Sequence, residues 1–195
     1  MTDDLNPRIA PLPPQRWPRE MKDALAPLSA ERYGRPPQPP GRPKGLNVLG
    51  TFAHHPTLAA AFMQFNAHVM HTTTLTERQR ELVVLRVATV YHCDYEWAQH
   101  EIIAGDFDIT ADDLDRIAAG PDAPGWSPFD SALLRAVDEL VADAQMGEDT
   151  YAALRREFDE QQVLDLVFTV GAYGVLAMAL NVCGTPLDDD LRPPA

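Results

Sequence analysis

From residue 46 onward, apolar residues recur at the three- and four-residue spacing of helices, and no stretch shows the sustained alternation typical of a strand. Several helix starts are marked by residues that favour a first turn. Thr76 and Thr110 suit N-cap positions, and a glutamine or an aspartate three residues later completes a capping box in each case. Pro56 suits a first helical position, as does Pro128 after Ser127. The pattern predicts an all-α fold of about seven helices joined by short loops.

Residues 1–45 have a different pattern, because they contain 11 of the 18 prolines. Proline lacks a backbone N–H and interrupts helices, so this segment is predicted to be an extended N-terminal arm with at most a short turn near residues 19–26. The helical domain is predicted over residues 46–190. Since proline lowers the entropy lost when an extended segment docks, the arm could wrap its own domain or a neighbouring subunit, and we expect it to lie along a neighbouring subunit rather than to hang free.

The segment ELVVLRVATVYHCDYEWAQH, residues 81–100, is apolar on every side over its first half, which is typical of a buried helix. It nevertheless carries five chemically capable side chains: Glu81, Arg86, Cys93, Glu96 and His100. Charged groups in such a segment must be paired or hydrogen-bonded. They therefore form either a satisfied internal network, for which Asp165 and Glu139 are candidate partners, or a functional site.

The spacing of these residues predicts where they lie. Cys93, Glu96 and His100 fall at i, i+3 and i+7, which is one stripe of a helix. In a single straight helix Glu81 would lie roughly 28 Å from His100. A break at YHCDYEW, with Cys93 or Asp94 beginning a second helix, would fold the two helices together and bring Glu81 toward His100.

Residues 163–183 form an apolar run that is long enough to cross a membrane. The run contains an aspartate, a threonine and an asparagine, and no basic residue flanks it, so we interpret it as a fully buried helix, either in a bundle or at a subunit interface. Gly171, Gly174 and Ala177 repeat at i+3 and predict a close contact with another backbone. We expect this helix, together with the helix that carries LRVA, to help form a homo-oligomer interface.

The formal net charge of −13 and the pI of about 4.7 argue against binding to nucleic acid or to an anionic membrane surface. The polar, proline-rich beginning of the chain does not resemble a signal peptide, and there are only two cysteines, Cys93 and Cys183. A cytoplasmic location is expected. No metal is expected, because the adjacent His54 and His55 would diverge by about 100° on a helix.

Six motifs carry a resemblance to a known family: HHPTLAAAF, RELVVLRVA, YEWAQH, GPDAPGWSP, LLRAVDEL and VFTVGAYGVLAMALN. From roughly residue 47 to residue 188 the chain resembles the carboxymuconolactone decarboxylase family, which shares its fold with the AhpD-type alkylhydroperoxidases. The resemblance implies an all-α AhpD-like bundle without a cofactor, usually a trimer or hexamer. It also implies a small-molecule site between helices near the subunit contact.

The redox branch of the fold resembles Glu-x11-Cys-x2-Cys-x3-His, which maps onto Glu81, Cys93, Glu96 and His100. A glutamate stands at the second cysteine position, and a carboxylate cannot form the disulfide that a dithiol mechanism needs. The resemblance therefore favours the decarboxylase branch. In that branch His100 would donate a proton, and Glu81 or Glu96 would orient the imidazole or hold it protonated.

The remaining candidates would line the substrate. Arg86 could bind a substrate carboxylate in a bidentate way, while Cys93, Tyr95 and Tyr173 are candidate pocket residues, with packing as the alternative. Three function classes stay open. They are a cofactor-free lyase or related proton-transfer enzyme in aromatic catabolism, a thiol peroxidase that uses Cys93, and a helical oligomer that binds a small molecule without turnover.

Overall fold

A computed structural model describes residues 7–37 and 41–191, and within those ranges all regular secondary structure is helical, which confirms the predicted all-α fold. There are nine α-helices in this part of the chain rather than about seven, because α1 lies within the arm and several others are short. The helices are α1 Glu20–Leu25, α2 Leu46–Phe52, α3 Pro56–Ala67, α4 Glu77–Val90, α5 Asp94–Ala104, α6 Ala111–Ala119, α7 Pro128–Asp143, α8 Glu148–Leu154 and α9 Glu160–Cys183.

The predicted helix starts are confirmed. The side chains of Thr76 and Thr110 each accept a hydrogen bond from the backbone N–H three residues later, and both capping boxes are complete. Ser127 caps α7 ahead of Pro128. Pro56 stands at the start of α3. Local sequence chemistry therefore sets where these helices begin.

The chain divides into two compact units, and the first combines the described parts of Met1–Thr72 and Met178–Ala195. Its apolar cluster joins α1 to α2 and α3 and consists of Met21, Ala24, Ala53 and Ala59, with Leu12, Trp17, Leu25 and Phe52 packed against them. The cluster includes both arm residues and domain residues. The predicted division at residues 45 and 46 therefore does not coincide with these units.

The described part of the arm contacts other residues of its own chain, and a contact with a neighbouring subunit stays a prediction. The Leu12 N–H donates to the Gly50 carbonyl at 3.0 Å, and the Trp17 indole donates to the Leu12 carbonyl at 2.7 Å. The backbones approach so closely that a Cβ at Gly50 would collide with the Leu12 carbonyl oxygen. The arm docks here because α2 and α3 offer an apolar surface to Met21 and Ala24.

The second unit, Thr73–Ala177, is built around α4, which contacts α5, α6 and α7. From residue 81 to residue 88 nearly every side chain of α4 is buried, as the apolar pattern predicts. Leu85 and Val87 are already fully buried within the chain, and the part of α4 in an oligomer interface stays a prediction.

The predicted break between Glu81 and His100 lies at residues 91–93, between the end of α4 and the start of α5. His92 has a positive φ of 51°, a left-handed conformation that turns the chain back on itself. The Cys93 N–H then donates to the Ala88 carbonyl, and α5 begins at Asp94. We call residues 91–93 the elbow.

α9 is long and apolar enough to cross a membrane by length and composition, and half of its most apolar 18-residue window is buried. Within a single chain this helix is not fully buried, because Leu164, Phe168 and Val175 are each more than half exposed, and burial at a subunit interface stays a prediction. Gly174 faces inward, against the Tyr91 ring, and Ala177 is fully buried. The three small residues therefore do not form one outward contact surface.

Candidate active site at the α4–α5 elbow

The elbow brings Glu81 on α4 against His100 on α5. Glu81 Oε2 lies 2.6 Å from His100 Nδ1, so the carboxylate accepts a hydrogen bond from that ring nitrogen. The Glu81 side chain is 1% exposed and the His100 side chain 14%. No other described residue hydrogen-bonds the second ring nitrogen, Nε2. The pair therefore fixes the orientation of the imidazole and leaves Nε2 available to a ligand.

Arg80 holds the other oxygen of the same carboxylate. Its Nε and Nη2 donate to Glu81 Oε1 at 3.2 and 3.0 Å, and its guanidinium lies 5.8 Å from the centre of the Phe107 ring. Burial alone raises the pKa of Glu81, but His100 and then Arg80 outweigh that effect and hold the pKa below its usual value. Glu81 is therefore a buried carboxylate that stays ionised.

Tyr173 on α9 forms the wall behind the imidazole. Its ring meets the His100 ring edge to face, with centroids 5.2 Å apart. Burial, reinforced by the charge of Glu81, raises the pKa of the Tyr173 hydroxyl, so this group stays neutral. Tyr95 is buried on α5 as well. The structure thus places Tyr173, as predicted, beside His100.

Glu96 lies one turn before His100 on α5 and is 2% exposed. No N–H or O–H group of the described residues lies within hydrogen-bonding distance of either carboxyl oxygen. Burial raises the pKa of Glu96 to about 8, although the neighbouring Cys93 thiol, a weak donor, lowers it slightly. Glu96 does not hydrogen-bond the imidazole, so its predicted orienting role passes to Glu81 alone.

Cys93 stands at the start of α5 and is buried. Burial, and then the charge of Glu96, raises the pKa of its thiol to about 12, and the backbone N–H groups of Tyr95 and Glu96 offset only part of that rise. Thiolates rather than thiols are nucleophilic, so this environment does not activate Cys93. Cys93 and Cys183 are both free thiols.

A pocket of about 320 Å³ opens at the elbow. It is lined by Ala88, Thr89, His92, Cys93, Asp94, Trp97 and Ala118. Cys93 is the one member of the predicted stripe that reaches this lining. Glu81 and His100 do not contribute to it.

Arg86 is not brought to the Glu81–His100 pair. It lies five residues, or about 140°, around α4 from Glu81, and its Nε and Nη2 donate to the two carboxylate oxygens of Asp138 at 2.6 and 2.8 Å. Its Nη1 donates to the Ile117 and Ala118 carbonyls at the end of α6. These contacts occupy the guanidinium that was predicted to bind a substrate carboxylate.

The two predicted network partners, Asp165 and Glu139, each accept hydrogen bonds from nearby threonine residues. Asp165 accepts hydrogen bonds from the backbone and hydroxyl of Thr74, and Glu139 accepts from Thr150 and from the Gly147 N–H. The residue that sequence reasoning missed is Arg80. Its position directly before Glu81 was the available signal, but adjacent residues on a helix usually point about 100° apart.

The sequence profile of the carboxymuconolactone decarboxylase family matches residues 56–139, which include the whole Glu81–His100 segment. Over these residues the chain is similar to that family. Its AhpD-like fold is shared by a peroxidase-related protein from Ralstonia eutropha with an alkylhydroperoxidase AhpD core, at 20% identity over 94% of each chain and a TM-score of 0.72. No protein of curated function matches the sequence.

Two further solved structures share the fold of this chain. A peroxidase-related protein from a Silicibacter species is 17% identical over 98% of this chain and 97% of its own, with a TM-score of 0.73. A cysteine-to-alanine variant of the debrominase Bmp8, in complex with 2,3,4-tribromopyrrole, is 13% identical over 97% and 96%, also with a TM-score of 0.73. At these identities the likeness establishes the fold.

Proposed function

We propose that this protein is a lyase of the carboxymuconolactone decarboxylase type, which needs no cofactor and removes carbon dioxide from a small carboxylated lactone or a related intermediate of aromatic catabolism. The observation that carries the proposal is the 2.6 Å contact between Glu81 and His100, which leaves Nε2 open. An imidazole held in this way can deliver a proton to carbon, which is the step that completes a decarboxylation.

Arg80, Glu81 and His100 each have a separate role in this reaction. Arg80 donates hydrogen bonds to one oxygen of Glu81, and the other oxygen accepts the Nδ1–H of His100. A protonated imidazole carries a second proton on Nε2, and the Glu81 carboxylate stabilises its positive charge. When the carboxylate of the substrate leaves as carbon dioxide, its bonding electrons remain on the substrate. The resulting carbanion takes the Nε2 proton, and solvent restores it.

A thiol peroxidase is the second candidate, because Cys93 begins α5 and solved structures of similar fold are described as peroxidase-related. The raised pKa of Cys93 and the glutamate at position 96 weigh against it. A peroxidase would need a thiolate and a second thiol close by.

Three variants separate the candidate functions when carboxylated lactones are offered as substrates. We expect His100→Ala to lower kcat about 10²–10⁴-fold, because it removes the proton donor. Glu81→Gln should lower kcat nearly as much. Cys93→Ser should retain most activity. A peroxidase would give the reverse order, with Cys93→Ser inactive toward a hydroperoxide. A binding protein would show ligand affinity and no turnover in any form.

We also propose that the protein works in the cytoplasm as a homo-oligomer, a trimer or hexamer. The exposed apolar side chains of α9 support the assembly, because water is a poor environment for Leu164, Phe168 and Val175. The high negative charge supports a soluble protein that binds neither nucleic acid nor an anionic membrane.

A further inference from the structure

Glu81 and Glu96 both lie beside His100, but only one of them is satisfied. The two oxygens of Glu81 are bound by His100 and Arg80. Both oxygens of Glu96 are buried, and no N–H or O–H group of the described residues reaches them. Buried polar groups in folded proteins are nearly always hydrogen-bonded. An unsatisfied carboxyl group one helical turn from the open imidazole therefore points to a bound ligand.

The environment of Glu96 determines what kind of ligand group it can meet. The titratable and charged groups around the stripe are Cys93 on α5, Arg80 and Glu81 on α4, and Tyr173 on α9. Arg80 and, in its protonated form, His100 are the cations near Glu96, and both are bound to Glu81. Because burial raises the pKa of Glu96 to about 8, the group carries its proton at neutral pH. A neutral carboxylic acid can donate a hydrogen bond to an oxygen acceptor.

We propose that the Glu96 carboxyl group donates a hydrogen bond to the carbonyl oxygen of the substrate and stabilises the enolate that forms as carbon dioxide leaves. This inference rests on the proposed lyase function. The bond between the substrate carbon and its carboxylate breaks, and the electron pair moves through the conjugated system to the carbonyl oxygen. Glu96 keeps its proton in this step. The enolate carbon then takes the proton from His100 Nε2, the carbonyl re-forms, and solvent reprotonates His100.

The geometry supports a division of roles between the two residues. Glu96 and His100 are four residues apart on α5, so their Cβ atoms lie roughly 6 Å apart on one face. One group can therefore meet the oxygen of a small planar molecule while the other meets a carbon of the same conjugated system. The substrate class follows from this arrangement. It is an acid whose leaving carboxylate is attached to a saturated carbon next to a carbonyl group, or to the equivalent carbon of an unsaturated carbonyl compound, so that the breaking bond can overlap with the conjugated system.

A stable oxyanion tests the inference without turnover. The probe is 3,4-dinitrophenol, which is ionised at about pH 7 and presents a conjugated oxygen anion like that of the enolate. We expect Glu96→Leu, which removes the donor and retains an apolar side chain, to weaken binding of the phenolate at least about tenfold. Glu101→Leu on the exposed side of α5 is the control and should bind normally. Unchanged affinity in Glu96→Leu would overturn the inference.

The pH dependence gives a second readout that does not require the leucine variant to fold. Wild-type affinity for the phenolate should fall as the pH rises past about 8, because Glu96 loses its donor proton and then repels the anion. Glu96→Gln should show no such fall, and a wild-type profile without it would also count against Glu96. If phenolates bind through Glu96 but no lactone is turned over, the oxyanion site stands and the lyase proposal fails. If lactones are decarboxylated equally fast by Glu96→Leu, the lyase stands and this inference fails.

Discussion

Of the two glutamates near His100, Glu81 is ionised and Glu96 is neutral, and their immediate surroundings cause the difference. Glu81 gains an ion pair and hydrogen bonds from His100 and Arg80, which compensate for the loss of water. Glu96 loses water without gaining an ion pair, so burial favours its neutral form. Environments that push the pKa values of two carboxyl groups apart are a common property of sites that use one carboxyl as a base or anion and another as an acid.

The unpaired state of Glu96 predicts a pH-dependent stability. Its pKa is about 8 in the folded protein and near 4.5 in the unfolded chain, so the unfolded state loses the proton first as the pH rises. The contribution of the Glu96 proton to the free energy of unfolding is fully present below about pH 4.5 and is lost progressively up to about pH 8. We expect Glu96→Gln to remove this loss, so that its stability advantage over wild type grows between pH 5 and pH 8.5. Urea unfolding at several pH values measures the effect, with Glu101→Gln as control; parallel profiles for wild type and Glu96→Gln would refute it.

The spacing of Cys93, Glu96 and His100 was enough to place them on one stripe. A straight helix would keep Glu81 far from His100, and this separation was enough to predict the elbow. The distribution of hydrogen bonds was not predictable in this way. Arg80 and Arg86 are both arginines on α4. Arg80 binds the Glu81 carboxylate, whereas Arg86 binds groups on α6 and α7. Tertiary neighbours decide that difference, and a single sequence contains no direct record of them.

At the scale of helices, Arg86 connects three elements of the second unit. It extends from α4 to Asp138 on α7 and to the carbonyl groups at the end of α6, where the helix dipole favours a positive charge. Gly120 follows α6 with a φ of 109°, and a Cβ there would lie 3.2 Å from the Arg86 guanidinium. The loop geometry and the arginine therefore depend on each other.

This connection predicts that Arg86 acts on stability. We expect Arg86→Met to lower the free energy of unfolding by about 2–4 kcal/mol, because it leaves Asp138 and two carbonyl groups without their donor. Arg135→Met is the matched control, since Arg135 pairs with the exposed Asp122 and should cost less than about 1 kcal/mol. Chemical unfolding measures both. If Arg86→Met folds as stably as wild type but raises the KM for a carboxylated substrate, the substrate-binding role predicted from sequence is correct.

At the scale of the whole molecule, the arm and α9 show what a hydrophobic pattern leaves undetermined. An apolar side chain must leave water, but the pattern does not say whether its partner belongs to the same chain. Met21 and Ala24 of the arm find partners on α2 and α3 of their own chain. The outward face of α9 remains exposed, with Leu164, Phe168 and Val175 between 54% and 58% accessible.

We expect that face of α9 to be covered by another copy of this chain. Gly171 lies at its middle with nothing within 4 Å of the position of a Cβ, so a second backbone can approach closely there. Light scattering at micromolar concentration should give a multiple of the 21.6 kDa mass. Phe168→Glu should shift the protein toward the monomer, since a charge at the centre of the interface would have to be desolvated. Tyr151→Glu on α8, where the native side chain is 44% exposed, is the control and should leave the assembly intact. A wild-type protein that is only monomeric would exclude the proposed assembly. If the protein is an oligomer and Phe168→Glu leaves it unchanged, the interface does not include this face of α9.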